Sequence, residues 1–139
     1  MIDKLNEVMK YSVCAHTQTV AASGSGANLV TFDAAGCEWV ALMVAMGVTD
    51  VITTVQVKES TDGTTAAANI TFATSSLALA ANGDSTVSWI LIDAKRAKRI
   101  LSATFSCGTG TSAIFSAHWF GLGPQFKPQT AITSALTIA

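Results

Sequence analysis

Apolar and polar residues alternate along several short stretches of this chain, and turn-forming residues separate those stretches. A period of two predicts β-strands, because successive side chains of a strand point to opposite faces. In residues 98–107, for example, Leu101, Ala103 and Phe105 oppose serines and threonines. The same reading predicts strands at residues 11–22, 29–33, 38–46, 51–58, 68–73, 76–80, 86–92, 98–107 and 112–120.

Clusters of Gly, Asn, Asp and Ser fall between these strands, at residues 23–28, 60–63, 81–84 and 108–111. Such clusters are typical of turns and loops, and the first one is predicted to be a flexible connection. Many short strands without interleaved long helices indicate an all-β sandwich or barrel of about eight antiparallel strands. Residues 11–124 are the predicted β-sandwich domain.

The two ends of the chain have a different character. Residues 1–10 are predicted to be an arm or short helix, because apolar residues recur there at helical spacing. Residues 125–139, here called the tail, carry Ile132, Leu136 and Ile138. Exposed apolar residues of this kind usually mark an interface. The tail is therefore either an extended C-terminal arm, which lies on a neighbouring molecule or back along its own domain, or a final edge strand of the same sandwich.

The large aromatic side chains lie on predicted strands, where packing is their usual role. We therefore predict that they form the core, and the stretch 38–46, which is almost entirely apolar, is predicted to be buried on both faces. The aromatic residues assigned to the core in this way are Trp39, Trp89, Phe105, Phe115 and Trp119.

Composition narrows the function. The chain has 139 residues, of which 50% are hydrophobic and 12% are charged, and its formal net charge is −1. This size fits one domain, and the charge argues against a nucleic-acid-binding surface. No apolar run is long enough for a transmembrane helix, and the N-terminus does not resemble a signal peptide. The three cysteines are widely spaced, as expected of buried, reduced thiols in a protein made in the cytoplasm.

The residues that carry chemistry are few. The two histidines, His16 and His118, each lie inside a predicted strand and lack a third ligand at suitable spacing. Cys14 and His16 would share one strand face, but the sequence offers no third orienting group for nucleophilic catalysis. We therefore expect no catalytic site, no metal site and no cofactor, and an enzyme of the cupin kind is improbable.

One group of charged residues stands out. Lys95, Arg96, Lys98 and Arg99, here called the basic cluster, supply half of all the lysines and arginines, between two predicted strands. Three interpretations remain open. The residues could be solvated cations that discourage edge-to-edge pairing, a docking site for an acidic patch on a protein partner, or, as a third choice, a DNA contact.

Several stretches together resemble a known family. They are residues 38–44 (Glu-Trp-Val-Ala-Leu-Met-Val), 47–50, 54–63, 89–93, the basic run with the strand that follows it to residue 105, and 113–124. The most specific element is Val-Lys-Glu-Ser at 57–60 followed by Asp62-Gly63. In this order they resemble small virion proteins of tailed bacteriophages, among them jelly-roll cement or decoration proteins of the capsid exterior. The resemblance covers residues 29–124.

This resemblance implies a jelly-roll sandwich that binds the outer face of a phage capsid and stabilises the shell. The implied partners are the major capsid protein and further copies of the same chain, as a dimer or trimer, with no nucleic acid and no membrane. The protein would be made in the bacterial host cytoplasm and reside in the virion. The alternative is a carbohydrate- or host-surface-binding jelly-roll module associated with the tail or neck, because lectins share this fold.

Overall fold

A computed structural model describes residues 9–21, 23–26, 29–49, 53–63, 67–70, 76–79, 84–109 and 112–123. These residues form nine β-strands and no helix, which confirms the predicted all-β class. The strands are β1 Met9–Ala21, β2 Phe32–Asp33, β3 Trp39–Thr49, β4 Thr53–Ser60, β5 Ala68–Asn69, β6 Ser76–Leu79, β7 Val87–Asp93, β8 Ile100–Cys107 and β9 Ser112–Leu122. A membrane-spanning helix is absent from this part of the chain.

The strands form two antiparallel sheets. Sheet A has the order β1-β9-β3-β7. Sheet B has the order β2-β8-β4, and both β5 and β6 pair with β4 on the side away from β8. Because β5 and β6 share that one position, the described strands occupy eight positions. The chain crosses between the sheets at nearly every connection, which is the jelly-roll arrangement of Greek keys.

The core lies between the sheets and is built by the strands that alternate most regularly. Trp119, Phe105 and Phe115 are almost completely buried, as predicted. The rings of Phe105 and Phe115 stack across the two sheets, with centroids 4.3 Å apart. Full burial of an aliphatic or aromatic side chain contributes about 1.5–3 kcal/mol, so this layer is the main source of stability.

The remaining two tryptophans are not in the core. Trp39 in β3 and Trp89 in β7 are 45% and 55% exposed, so their assignment to the core is wrong. Both strands carry apolar residues on both faces, and the alternation alone does not tell which face is inside. Val40 and Leu42 of β3 are fully buried, whereas Trp39 lies on the outside of sheet A. The prediction that this stretch is buried on both faces therefore holds only in part.

Strand β1 is irregular. Its register against β9 shifts between Val13 and Ala15 and again between Ala15 and Gln18. A shift of this kind changes the face on which the following side chains lie. Cys14 is therefore fully buried whereas His16 is exposed, and the predicted shared face of these two residues is wrong.

The described part of the first predicted loop is held against β8. The backbone carbonyl of Gly24 accepts a hydrogen bond from the Cys107 amide (2.9 Å), and the amide of Gly26 donates one to the Phe105 carbonyl (3.0 Å). A β-carbon on Gly26 would lie 3.0 Å from the Phe115 ring, so glycine permits this close approach. Composition predicted a flexible connection here, and in this structure residues 23–26 are hydrogen-bonded to β8.

The N-terminal boundary of the sandwich also differs from the prediction. Met9 and Lys10 belong to β1, where they pair with Leu122 and Gly121 of β9. The Lys10 ammonium contacts the backbone carbonyl of Asp33 and lies 5.2 Å from the centre of the Phe32 ring. The rest of the predicted arm or helix, residues 1–8, and the tail lie outside the described residues.

Candidate functional site

Among the described residues, the outer surface of sheet A is unusual because it carries many apolar side chains. A sheet face that contacts water normally carries polar side chains, because the opposite face supplies the core. Here the outward positions of β3 and β7, and those of β1 and β9 near Tyr11 and Phe120, are mostly apolar, whereas Ser112 and Ser116 lie farther along the outward side of β9. We call this surface the aromatic face, and its members are Tyr11 and Val13 of β1, Phe120 and Leu122 of β9, Trp39 and Met43 of β3, and Val87, Trp89 and Leu91 of β7.

Strand register brings these side chains together in rows. Tyr11 is paired with Phe120, which is paired with Ala41, which is paired with Leu91. The next row contains Met43 and, as its partner on β7, Trp89. Cross-strand neighbours of this kind lie about 4.5–5.5 Å apart and interact directly.

The small residue in the centre allows the large rings to meet. Ala41 of β3 is only 3% exposed although it lies on the outside of the sheet. The rings of Trp89 and Phe120, on the two strands that flank β3, approach to 5.7 Å between centroids. The Tyr11 ring continues the cluster, 5.3 Å from Phe120. The aromatic face is therefore a packed layer that already shields its own centre.

The edge of this layer toward β7 remains in water. Trp89 is 55% exposed and Leu91 is 57% exposed, and Val87 is similarly open. Isolated exposed apolar residues are common, but a contiguous group of them marks an interaction surface. Sequence reasoning missed this surface because it assigned the tryptophans to the core. The sequence of β7 could have indicated it: apolar residues lie on both faces of this strand, and only one face can point toward the interior.

A polar pair lies inside the aromatic face. The Tyr11 hydroxyl and His118 Nδ1 are 2.8 Å apart, and the two rings stack with centroids 5.9 Å apart. Burial, together with the charge of His16, lowers the pKa of His118 below its ordinary value. His118 is therefore neutral at neutral pH and adds no charge to the apolar layer.

The basic cluster borders the aromatic face at the turn between β7 and β8. All four of its side chains are exposed. Asp93, which begins the turn, is the cross-strand partner of Trp39 and accepts a hydrogen bond from the Lys95 amide (3.0 Å). The cluster and the exposed tryptophan therefore lie at the same corner of the sandwich.

Acidic side chains neutralise much of the cluster. Arg99 forms a two-pronged ion pair with Asp33, with contacts of 3.0 and 2.7 Å, and Lys95 Nζ lies 3.5 Å from Glu38 Oε1. The hydrogen bond from Arg99 lowers the pKa of Asp33 to about 2. The buried carboxylate of Glu59 accepts a hydrogen bond from the Lys98 amide (2.8 Å). These acids reduce the positive field that the sequence spacing implied.

Other chemistry is sparse in the described residues. No group of three or more His, Cys, Asp or Glu among them is placed to hold a metal ion. The three cysteines are free and buried, and burial raises the pKa of the Cys14 thiol to about 12. The predicted contact residues Ile132, Leu136 and Ile138 lie outside the described part of the chain.

Comparison with known proteins identifies the fold. No family model and no curated protein match this chain. Among solved structures, the PBSX exported protein XepA matches with a TM-score of 0.61 and 13% identity, over 100% of this chain and 45% of XepA. The present chain thus spans less than half of that protein.

Two further neighbours are more distant. A chain of the Bacillus endospore appendages, described as disulfide-linked pili, matches with a TM-score of 0.50 and 7% identity, over 84% of this chain and 89% of that one. The VP2 subviral particle of infectious bursal disease virus matches with a TM-score of 0.48 and 8% identity, over 89% and 34%. At these identities the similarity concerns the fold.

Proposed function

We propose that this chain is a structural virion protein of a tailed bacteriophage, a cement or decoration protein that binds the outer face of the capsid. The observation that carries the proposal is the aromatic face, a contiguous apolar surface on an otherwise ordinary jelly-roll sandwich. The resemblance of residues 29–124 to small virion proteins supports it, and so does the jelly-roll fold. In this proposal the protein is not an enzyme and requires no cofactor.

The aromatic face would act by docking across junctions between capsid subunits. Burial of Leu91, which is 57% exposed, would contribute about 1 kcal/mol, and Trp89 would contribute more because it is larger. A ligand that binds only the assembled lattice stabilises that lattice by its binding free energy. Repetition over a symmetric shell then turns a modest contact into a strong one through avidity.

The proposed partners are the major capsid protein and further copies of this chain, and neither nucleic acid nor a membrane is among them. The low net charge of −1 agrees with apolar docking, because it creates little long-range attraction or repulsion. The protein would be made in the cytoplasm of the bacterial host and then reside on the virion exterior.

The proposal can be tested by co-sedimentation with capsids of the encoding phage that lack this protein. We expect the double variant Trp89→Ser, Leu91→Ser to bind at least about 30-fold more weakly, which corresponds to about 2 kcal/mol. Its melting temperature should fall by only a few degrees, because the variant loses the contact between Trp89 and Phe120, worth about 0.5–1.5 kcal/mol, while the core between the sheets is unchanged.

The matched control is Val30→Ser. Val30 is 49% exposed, like the test residues, but it lies in the loop before β2 and its amide is bonded to the Cys14 carbonyl of β1, at the margin of sheet A opposite to β7. The control should bind like the wild type. Equal binding by the double variant, or no binding by the wild-type protein, would refute docking through the aromatic face.

A second candidate function is carbohydrate or host-surface binding by a tail- or neck-associated module. The observation that favours it is the exposure of Trp39 and Trp89 on one face, with the carboxylate-bearing Asp93 as the cross-strand neighbour of Trp39. Binding of the wild-type protein to host-surface glycans, abolished by Trp39→Ala, would support this alternative. The neighbours of Trp89 are the apolar side chains of Met43 and Phe120 rather than polar groups, which is why we prefer a protein partner.

A further inference from the structure

The edge of β7 is the margin of sheet A that is suited to the addition of a further strand. In the described residues, β7 pairs with β3 on one side and forms the margin of sheet A on the other. Its register against β3 is continuous from Val87 to Asp93. No charged residue and no proline interrupts the strand before Asp93. A regular apolar edge of this kind pairs readily with other strands, and proteins normally protect it.

The opposite margin of sheet A does not have this property. Strand β1 contains two shifts of register against β9, and bulges of this kind discourage the addition of another strand. Sheet A therefore has one blunted edge and one edge that is open to strand addition.

The direction of the hydrogen bonds identifies which backbone groups of β7 face away from β3. The Ala94 amide donates to the Glu38 carbonyl, and the Met46 amide donates to the Thr86 carbonyl. In an antiparallel ladder, alternate residues point toward the partner strand. It follows that the amides of Ser88, Ile90 and Ile92 face β3. The amides that face away from β3 are those of Val87, Trp89, Leu91 and Asp93.

The tail has the pattern of a matching strand. Residues 130–138 read Thr-Ala-Ile-Thr-Ser-Ala-Leu-Thr-Ile and contain no proline, no glycine and no charged residue. Ile132, Leu136 and Ile138 occupy alternate positions together with a serine, so they would share one face of a strand. β-Branched residues are abundant in this segment, as is typical of strands.

The tail also starts at a suitable place. Leu122, the last residue of β9, lies in the same row as Trp39 and Asp93. A new strand beside β7 would lie three strand spacings from β9, or about 14 Å. The six residues 124–129 can span about 20 Å, and the nine residues that follow can extend about 30 Å along β7. Entry at the Asp93 end gives an antiparallel pairing.

We propose that residues 130–138 add to the free edge of β7 in the same molecule, as an antiparallel fifth strand of sheet A. The proposed register is the one that puts Ile132, Leu136 and Ile138 on the outer face, where they extend the aromatic face beyond Trp89 and Leu91. Of the two interpretations that the sequence left open for the tail, this selects the edge strand. The inference does not depend on the capsid, so its test is independent of the proposed function.

Amide hydrogen exchange measured by NMR on the full chain tests this inference directly. In the monomeric wild-type protein we expect slow exchange at Val87, Trp89 and Leu91, whose amides would be unprotected at a free edge. In the variant Ile132→Asp, Leu136→Asp, Ile138→Asp, exchange at these three amides should accelerate by at least about tenfold, because the added strand detaches. The amides of Ser88 and Ile90 serve as internal controls and should remain protected by β3.

The matched control variant replaces the same three tail residues with valine, which keeps the strand apolar, and it should retain the slow exchange. Fast exchange at Val87, Trp89 and Leu91 in the wild type would overturn the proposal. Protection that appears only in an oligomer and increases with protein concentration would also overturn it, because the strand would then come from a neighbouring copy. Loss of protection at Ser88 and Ile90 in the Asp variant would indicate a general unfolding. The exchange rates of Val87, Trp89 and Leu91 in the valine variant and the wild type would then test the proposal.

Discussion

Asp33 connects three parts of the sandwich at its charged end. Its carboxylate accepts the two-pronged contact from Arg99 and also a hydrogen bond from the Ala35 amide (2.9 Å). Its backbone carbonyl contacts the Lys10 ammonium. These interactions favour the ionised carboxyl, first through the hydrogen bond from Arg99, and they lower its pKa to about 2.

This shift predicts a loss of stability in acid. A carboxyl whose pKa is lower in the folded state stabilises the fold fully above its unfolded pKa of 3.8, and the contribution disappears as the pH falls toward about 2. The side chain is 34% exposed, so screening reduces the contribution to on the order of 1 kcal/mol. Urea unfolding at about pH 5 and pH 2.5 should show this loss in the wild type and a smaller one in Asp33→Asn.

Arg99→Gln should reduce the acid sensitivity in the same way, because it removes the main cause of the shift. Lys95→Gln, which breaks the longer contact to Glu38, should leave it nearly unchanged. An Asp33→Asn protein with the full wild-type pH dependence would assign the acid sensitivity to other carboxyls.

At the scale of elements, the turn between β7 and β8 carries a group of positive side chains in the sequence, and the structure places acidic side chains beside them. The basic cluster there was a candidate contact for an acidic partner, and the structure surrounds it with Asp33, Glu38 and Glu59. Replacement of its four residues with Glu would bring like charges together inside the molecule. Replacement with Gln tests the surface more cleanly.

We predict that the quadruple variant Lys95→Gln, Arg96→Gln, Lys98→Gln, Arg99→Gln attaches to capsids at most about threefold more weakly than the wild type, because the cluster only borders the aromatic face that supplies the main contact. Its free energy of unfolding should fall by about 1 kcal/mol or less, since these ion pairs are exposed. Lys58→Gln, on the outer side of sheet B, is the control for loss of charge alone. Normal attachment by the quadruple variant would support the interpretation that the cations protect the strand edge.

The strands differ in how far the sequence predicts them. Strands β4 and β8 were predictable in both position and facing, because polar residues occupy one face and apolar residues the other. The outward face of β9 mixes Ser112 and Ser116 with Phe120 and Leu122, so its facing was less clear. Strands β3 and β7 were predictable in position only, since both of their faces are apolar. The sequence of β1 does not indicate where its bulges occur, so the placement of Cys14 and His16 on different faces could not be predicted. The aromatic face remained hidden because it combines side chains of four strands that are distant in sequence.

At the scale of the whole molecule, the apolar aromatic face and the charged basic cluster meet at one corner of the sandwich. Apolar docking through the aromatic face is nearly independent of salt, whereas an ionic contact through the basic cluster weakens as the Debye length shrinks from about 14 to about 4 Å. We predict that capsid binding changes by less than about threefold between about 0.05 and 0.5 M NaCl. Co-sedimentation across this range measures the effect. A steep decline with salt would assign the main contact to the cluster instead.

Because all three cysteines are buried, the native protein should react only slowly with thiol reagents. Burial raises the pKa of Cys14 and of Cys37, so little thiolate is present to react at neutral pH. A single cysteine introduced at an exposed position, such as Thr104→Cys on the outside of sheet B, would then be the preferred target of a maleimide. A gold or fluorescent label attached there would report the orientation of every copy on a particle, with the label outward if the aromatic face points toward the shell.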